Sequence, residues 1–186
     1  MSNILGIFDL MEEEKVVLVD LQDQQVGTMG KMEAHKKAVL HRAFSIFILN
    51  SKGELLLQQR AFGKYHSPGL WTNTCCSHQR EGETNLQAGN RRLREEMGMT
   101  VSLEELFSFN YKASFDNGLT EHELDHVMVG FSEEDPRINT NEVAAYKWMH
   151  IDAIKEDLKK SPDDYTVWFA IIFNRFCQHL EDQLKL

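Results

Sequence analysis

Six side chains whose types suit metal or proton chemistry stand in short polar contexts beside strand ends: His35, His41, Cys76, His78, Glu121 and Glu123. Glu121 and Glu123 differ by two positions, so on a strand both carboxylates project from one face, and Cys76 and His78 are spaced alike. His35 and His41 are six apart and would point about 120° apart on a single helix, so a loop and a strand start must present them. Three imidazoles with two carboxylates form a mixed nitrogen and oxygen set, suited to Mg²⁺, Mn²⁺ or Zn²⁺ in five or six coordination. A lone histidine is more often a hydrogen-bonded surface residue, and His66, His126, His150 and His179 are read that way.

The elements that must position these groups follow from the hydrophobic pattern. Val16 to Asp20 reads as a short strand, and Ala43 to Asn50, the turn at Ser51-Lys52-Gly53 and Glu54 to Arg60 read as a hairpin. Thr84 caps a helix with apolar positions Leu86, Leu93 and Met97, and Gly98 ends it. Leu106 to Phe115 and Leu119 to Phe131 flank Asp116-Asn117-Gly118, the strongest turn signal in the chain, and Val143 to Met149 adds a strand. Asp152 caps a short helix to Lys160, and Tyr165 to Leu180 carries the helical stripe Trp168, Ile172, Phe176, Leu180. Hairpins beside separate helices predict an α+β domain, an α/β/α sandwich with a mixed sheet rather than a doubly wound parallel one.

The 186 residues are 42% hydrophobic and 26% charged, which predicts one domain over 1–186 that buries its core without disulfides. Adjacent Cys75 and Cys76 with the distant Cys177 form no disulfide framework; Cys75 and Cys177 are assigned to packing. Twenty-nine acidic against twenty basic residues leave a net charge of −9, which excludes nucleic-acid binding over a wide basic surface. No stretch reaches the length of a membrane span, and the acidic N-terminus is unlike a signal peptide, so a cytoplasmic protein is expected. An anionic ligand would need a local cluster of Lys and Arg, or a metal ion.

From Ser77 to Met99 the chain carries Glu83, seven residues, then Arg91-Arg92-Leu93-Arg94-Glu95-Glu96-Met97-Gly98. This resembles the Nudix box, G-x5-E-x7-R-E-U-x-E-E-x-G-U, with Ser77 at its first Gly and Arg92 at the Glu of its Arg-Glu pair. An Arg at an acidic ligand position disfavours hydrolysis, which needs clustered carboxylates to activate water. With Trp71-Thr72-Asn73-Thr74-Cys75-Cys76-Ser77-His78, His41-Arg42-Ala43-Phe44-Ser45 and Glu121-His122-Glu123, the chain from about Lys31 to Trp168 resembles the type I isopentenyl-diphosphate isomerases of the Nudix superfamily.

That resemblance implies a Nudix-like fold and interconversion of isopentenyl and dimethylallyl diphosphate by a 1,3-allylic proton shift through a carbocation, without a redox cofactor. It implies Cys76 and Glu123 as the catalytic pair, with Tyr111 beside the glutamate and Trp168 facing the reacting carbons. His35, His41, His78, Glu121 and Glu123 match the family's metal site, where Mn²⁺, Mg²⁺ or Zn²⁺ would sit. Glu96 helps hold a Mg²⁺ on the substrate diphosphate, and Lys31, Arg60, Lys64, Ser77 and Arg92 match its polar contacts. The expected partner is a small isoprenyl diphosphate, with no nucleic acid or membrane, and the chain is expected to be a monomer or weak dimer. Met1 to Met11 and Ala61 to Ser67 are the flexible candidates to close over the site. The alternatives are a Nudix-type nucleoside diphosphate hydrolase and, with no positive feature behind it, a noncatalytic sensor on the same fold.

Overall fold

The computed structural model describes residues 14–115 and 117–183. In chain order these form β1 (Lys15–Val19), β2 (Gln25–Gly30), α1 (Lys31–Lys37), β3 (His41–Leu49), β4 (Glu54–Arg60), β5 (Trp71–Thr72) and β6 (Cys75–Ser77). Then come α2 (Asn85–Met97), β7 (Glu104–Ser114), β8 (Thr120–Phe131), β9 (Val143–His150), α3 (Ile151–Lys160) and α4 (Val167–Gln183). Met1 to Met11, one of the two expected flexible segments, lies outside the described residues, as does Asp116 of the expected turn.

The strands make one mixed sheet with β3 at its centre. β3 pairs in parallel with β8 along its whole length, from His41↔Glu123 to Leu49↔Phe131, and antiparallel with β6 on its other side through Ser45↔Cys76. β8 continues into β7 as a long hairpin in which Tyr111 stands opposite Glu123. β4 pairs with β9 and β5, and β1 with β2.

Alternation along the central strands builds two cores. Phe44, Ile46 and Ile48 of β3 join Leu56, Met128 and the inner face of α2, whereas Phe47, Leu55, Leu57 and Val127 pack on the α4 side against Trp168, Phe169, Ile172, Phe173 and Phe176. This is the expected sandwich: successive side chains on a strand point to opposite faces, and each face meets a helix. No helix among the described residues is long and apolar enough to cross a membrane.

Several local expectations change. β3 and β4 share the expected turn, closed at Gly53 with φ +74°, but pair only at Leu49↔Leu55 and then part. Both are apolar on both faces, and strands of that kind sit inside a sheet, here with β8 and β9 as their neighbours. The helix α1 replaces the loop expected at His35: its seven residues bury only Ala34 and His35, too few for a visible apolar stripe. β2 is an edge strand of partly or fully exposed residues and carries no alternation. Asp152 lies in the first turn of α3, whose N-cap is His150. Leu86 is exposed, and α2 turns Ala88, Leu93 and Met97 inward instead.

The α2 ends follow the expectation. Thr84 and Gln87 form a reciprocal capping box, and Gly98 closes the helix at φ +63°, donating its N–H to Arg94 O.

Candidate active site

His35 from α1, His41 at the start of β3 and His78 just after β6 meet with ring centroids 4.9–5.7 Å apart. His35 Nδ1 lies 2.7 Å from Lys31 O, and His41 Nδ1 lies 2.8 Å from Val39 O. A carbonyl only accepts, so each Nδ1 carries the proton and each Nε2 keeps its lone pair, the arrangement in which an imidazole ligates metal. Ligand atoms of His35, His41, His78 and Glu123 all lie within 4.8 Å of one another, and all four residues are buried. His41 Nε2 is buried without a hydrogen bond. Burial pushes the His35 imidazole down and that of His78 to about 4, against the pull of Glu123, which keeps both rings neutral. Neutral imidazoles beside a carboxylate fit a divalent cation.

The carboxylates are organised by one phenol. Tyr111 Oη donates to Glu123 Oε2 at 2.6 Å and lies 3.0 Å from Glu121 Oε2. A phenol has a single hydrogen, so the second contact calls for a proton on Glu121. The electrostatics agree: burial and then the charge of Glu123 push the Glu121 carboxyl well above its usual range. Burial also opposes charge on Glu123, but hydrogen bonding from the imidazole side outweighs it: His78 Nε2 donates to Glu123 Oε1 at 3.1 Å, and that carboxyl is held well below its usual range. Glu121 is outside the four-atom ligand group and reaches it through Tyr111.

Cys76 opens into the same pocket, with Tyr111, Trp168 and Glu123 in the wall. It comes from β6 and Glu123 from β8, the two strands that flank β3, so the two groups approach from opposite sides of the central strand. Burial pushes the Cys76 thiol up to about 12, against the charge of Arg60, so it is protonated at neutral pH. Cys75 faces the α2 core, and Cys177 packs in the α4 core, as expected. Trp168 is buried, and the guanidinium of Arg60 stands 5.1 Å from its ring centroid.

The same pocket carries a group of cations. Lys31, Arg60, Lys64, Ser77 and Arg92 line it together with Glu96. Arg92, the departure from the Nudix box, crosses to Glu96 Oε1 at 2.5 Å and Glu95 Oε2 at 2.8 Å. Gln58 donates to the other Glu96 oxygen at 2.9 Å. Glu83 and Arg91 instead form a two-bond pair, 2.7 and 2.8 Å, that ties the loop before α2 to the helix. In this arrangement they brace the box.

Thus the pocket collects every expected site residue except His41, which is fully buried behind it as part of the histidine group. Four further residues of its wall were not singled out by type: Gln58, Glu142, and Tyr65 and His66, which lie in the Ala61 to Ser67 segment expected to close over the site. His66 is the largest change, for it is half-buried in the pocket wall. Its ring meets Trp168 edge-on at 5.4 Å and stacks on Phe115 at 5.9 Å, its Nδ1 is buried without a partner, and burial pushes the imidazole down to about 3.

Comparison with known proteins agrees with this architecture. The NUDIX domain model matches residues 39–169. An isopentenyl-diphosphate Delta-isomerase of Pectobacterium atrosepticum is 50% identical over 87% of this chain and 90% of its own. Isopentenyl-diphosphate Delta-isomerase 2 of Photorhabdus laumondii is 49% identical over 94% and 99%. Among solved structures, the MutT protein of Methanosarcina mazei superposes with a TM-score of 0.61 at 20% identity, over 75% of this chain and 94% of its own, which shows the shared fold. The chain therefore belongs to the NUDIX superfamily and, within it, to the isopentenyl-diphosphate Delta-isomerases.

Proposed function

We propose that this chain interconverts isopentenyl and dimethylallyl diphosphate by an antarafacial 1,3-allylic proton shift. The observation that carries the reading is the placement of a protonated thiol, Cys76, and a phenol-bonded carboxylate, Glu123, in one pocket on the two strands flanking β3. An unactivated alkene is a poor base, so one positioned group must protonate it while another removes a proton from the opposite face. In this reading Glu123, with Tyr111 relaying, handles the proton at the terminal carbon and Cys76 the proton at C2. With the thiol protonated and Glu123 ionised, Cys76 protonates C2 of dimethylallyl diphosphate while Glu123 takes a proton from its methyl group. In the isopentenyl direction a protonated Glu123 supplies the terminal carbon while the Cys76 thiolate accepts the proton from C2. The tertiary cation between the two transfers lies against the Trp168 ring, a contact worth about 2 kcal/mol when desolvated.

His35, His41, His78 and Glu123 would hold one divalent ion, Mn²⁺, Mg²⁺ or Zn²⁺, and Glu121 would complete that shell after giving up its proton. Glu96 would share a Mg²⁺ with the diphosphate, while Lys31, Arg60, Lys64, Ser77 and Arg92 bind and orient its oxygens. These ions supply positive charge that fixes the carboxylates and neutralises the diphosphate. Local positive charge of this kind reconciles a net charge of −9 with an anionic substrate. Ala61 to Ser67 is the segment of the reading that closes the pocket against water, which would otherwise trap the cation. The reading takes the chain as one domain, a monomer or weak dimer in the cytoplasm, where free thiols such as its three cysteines persist.

The test is incubation of the protein with Mg²⁺ and isopentenyl diphosphate in D₂O, followed by NMR. Dimethylallyl diphosphate carrying solvent deuterium, without released phosphate, is the expected result. Phosphate or monophosphate released without isomer would move the chain to the hydrolases and make Cys76 incidental.

A further inference from the structure

Lys64, on the segment after β4, and Arg92, on α2, come from separate elements, yet both direct their charge at one oxygen. Lys64 Nζ pairs with Glu142 Oε2, and Arg92 Nη2 lies 3.4 Å from the same atom. Glu142 is held in place by its backbone: its N–H donates to Asn139 O at 2.9 Å and its carbonyl accepts from Ala61 N at 3.0 Å. Asn139 in turn donates its N–H to Glu96 O at 2.8 Å. The carboxylate is therefore anchored to both elements that supply the cations, and it lines the pocket with a quarter of its side chain exposed.

Two cations of different elements converging on a single anionic oxygen is the contact that a non-bridging phosphate oxygen makes. A pocket of free Lys and Arg would accept any phosphate or carboxylate, whereas one already neutralised by an internal carboxylate accepts only an anion that outcompetes it. We propose that Glu142 is an internal counter-ion standing in the diphosphate's place at Lys64 and Arg92, and that exchange of this carboxylate for the ligand makes the site selective for diphosphates over singly charged anions and monophosphates. The inference rests on the reading that Lys64 and Arg92 contact the substrate diphosphate. Glu142 is then a specificity residue, and its ionised state, sustained by Lys64 and Arg92 against burial, agrees with the role.

The experiment is calorimetric titration of the full chain with inorganic pyrophosphate and, separately, inorganic phosphate, in the presence of a chelator so that metal does not contribute. E142Q is expected to bind pyrophosphate about tenfold more tightly, the worth of one charge-assisted hydrogen bond released from competition, and to gain measurable phosphate binding. E142D, which keeps the charge but draws it back by one methylene, should gain less than E142Q. E95Q removes a charge from Arg92 outside the pocket wall and should change affinity less than about twofold. Unchanged or weaker pyrophosphate binding by E142Q with an unshifted thermal melt, or an equal gain in E95Q, overturns the proposal. A Lys64→Ala, Arg92→Ala double variant separates the two levels: if it binds pyrophosphate as the parent does, the assignment of the diphosphate site itself fails. If it loses binding while E142Q gains none, only the counter-ion role fails.

Discussion

Tyr111 and Glu123 face each other across the β7–β8 ladder, and the phenol donates to Glu123 Oε2 at 2.6 Å. That bond fixes the carboxylate's orientation with a group that itself lines the pocket. Tyr111→Phe removes one donor from a buried carboxylate pair, a loss of about 1–3 kcal/mol. The expected outcome is a kcat lowered about 10- to 100-fold with KM little changed, measured by steady-state formation of dimethylallyl diphosphate. A variant within twofold of the parent would remove Tyr111 from the proton path.

Cys76 is expected to be more sensitive still. A serine hydroxyl is a weaker acid than a thiol, and positioned general acid or base groups contribute about 10²–10⁴-fold. Cys76→Ser should lose at least about 100-fold in kcat while melting at the parent temperature. Near-normal turnover would sink the assignment.

Metal content tests the histidine group independently of turnover. His35→Ala leaves His41, His78, Glu123 and Glu121, and loss of one of five donors should lower the bound divalent metal to a minor fraction, read by elemental analysis after dialysis. Chelator treatment of the parent should lower its melting temperature, because an ion bound only to the folded state stabilises it by mass action. An H35A protein that retains full metal would place the ion elsewhere.

His66 makes a pH prediction. Its folded imidazole is pushed down to about 3 by burial, below the ordinary value of 6.5. The stability it supports is complete above about pH 6.5 and is lost as pH falls toward 3, because only the unfolded chain takes up the proton in that window. His66→Phe should therefore gain on the parent as pH drops, by roughly 2 kcal/mol between pH 7 and pH 5, in denaturant melts at the two pH values. Equal differences at both would show that His66 does not titrate across unfolding.

Gly98 ends the helix that carries Arg92 and Glu96. At φ +63° a side chain is strained, and a Cβ there would come within 2.5 Å of Arg137 O. Gly98→Ala should cost about 2 kcal/mol or more in chemical denaturation. A cost below about 0.5 kcal/mol would mean that the Arg137 segment shifts freely.

The local features of this molecule are written in short stretches of chain. Thr84, Gln87 and Gly98 bound α2 by hydrogen bonds within four residues, and the period-two spacing of Glu121 and Glu123 places both carboxylates on one face of β8. The same holds for the alternate facing of Cys75 and Cys76, and the ordered motifs around them were enough to identify the family. Elements with few buried contacts, such as α1 and β2, left no pattern to read. Pairing over long sequence separation was not legible either: β8 inserts beside β3 about eighty positions away in sequence, and that parallel register alone brings Glu123 to His41. The environments of His66 and Glu142 are of the same kind. Their types and spacing match ordinary surface residues, and only the packing of separate elements makes one a half-buried wall of the pocket and the other a shared partner of Lys64 and Arg92. Sequence alone determined the conformation of elements that carry caps, turns or a buried face, and the metal-ligating and proton-transferring types among the reactive groups, because those depend on backbone geometry and residue type. Tertiary structure decided burial, charge state and partnership, because these depend on what the rest of the chain brings alongside.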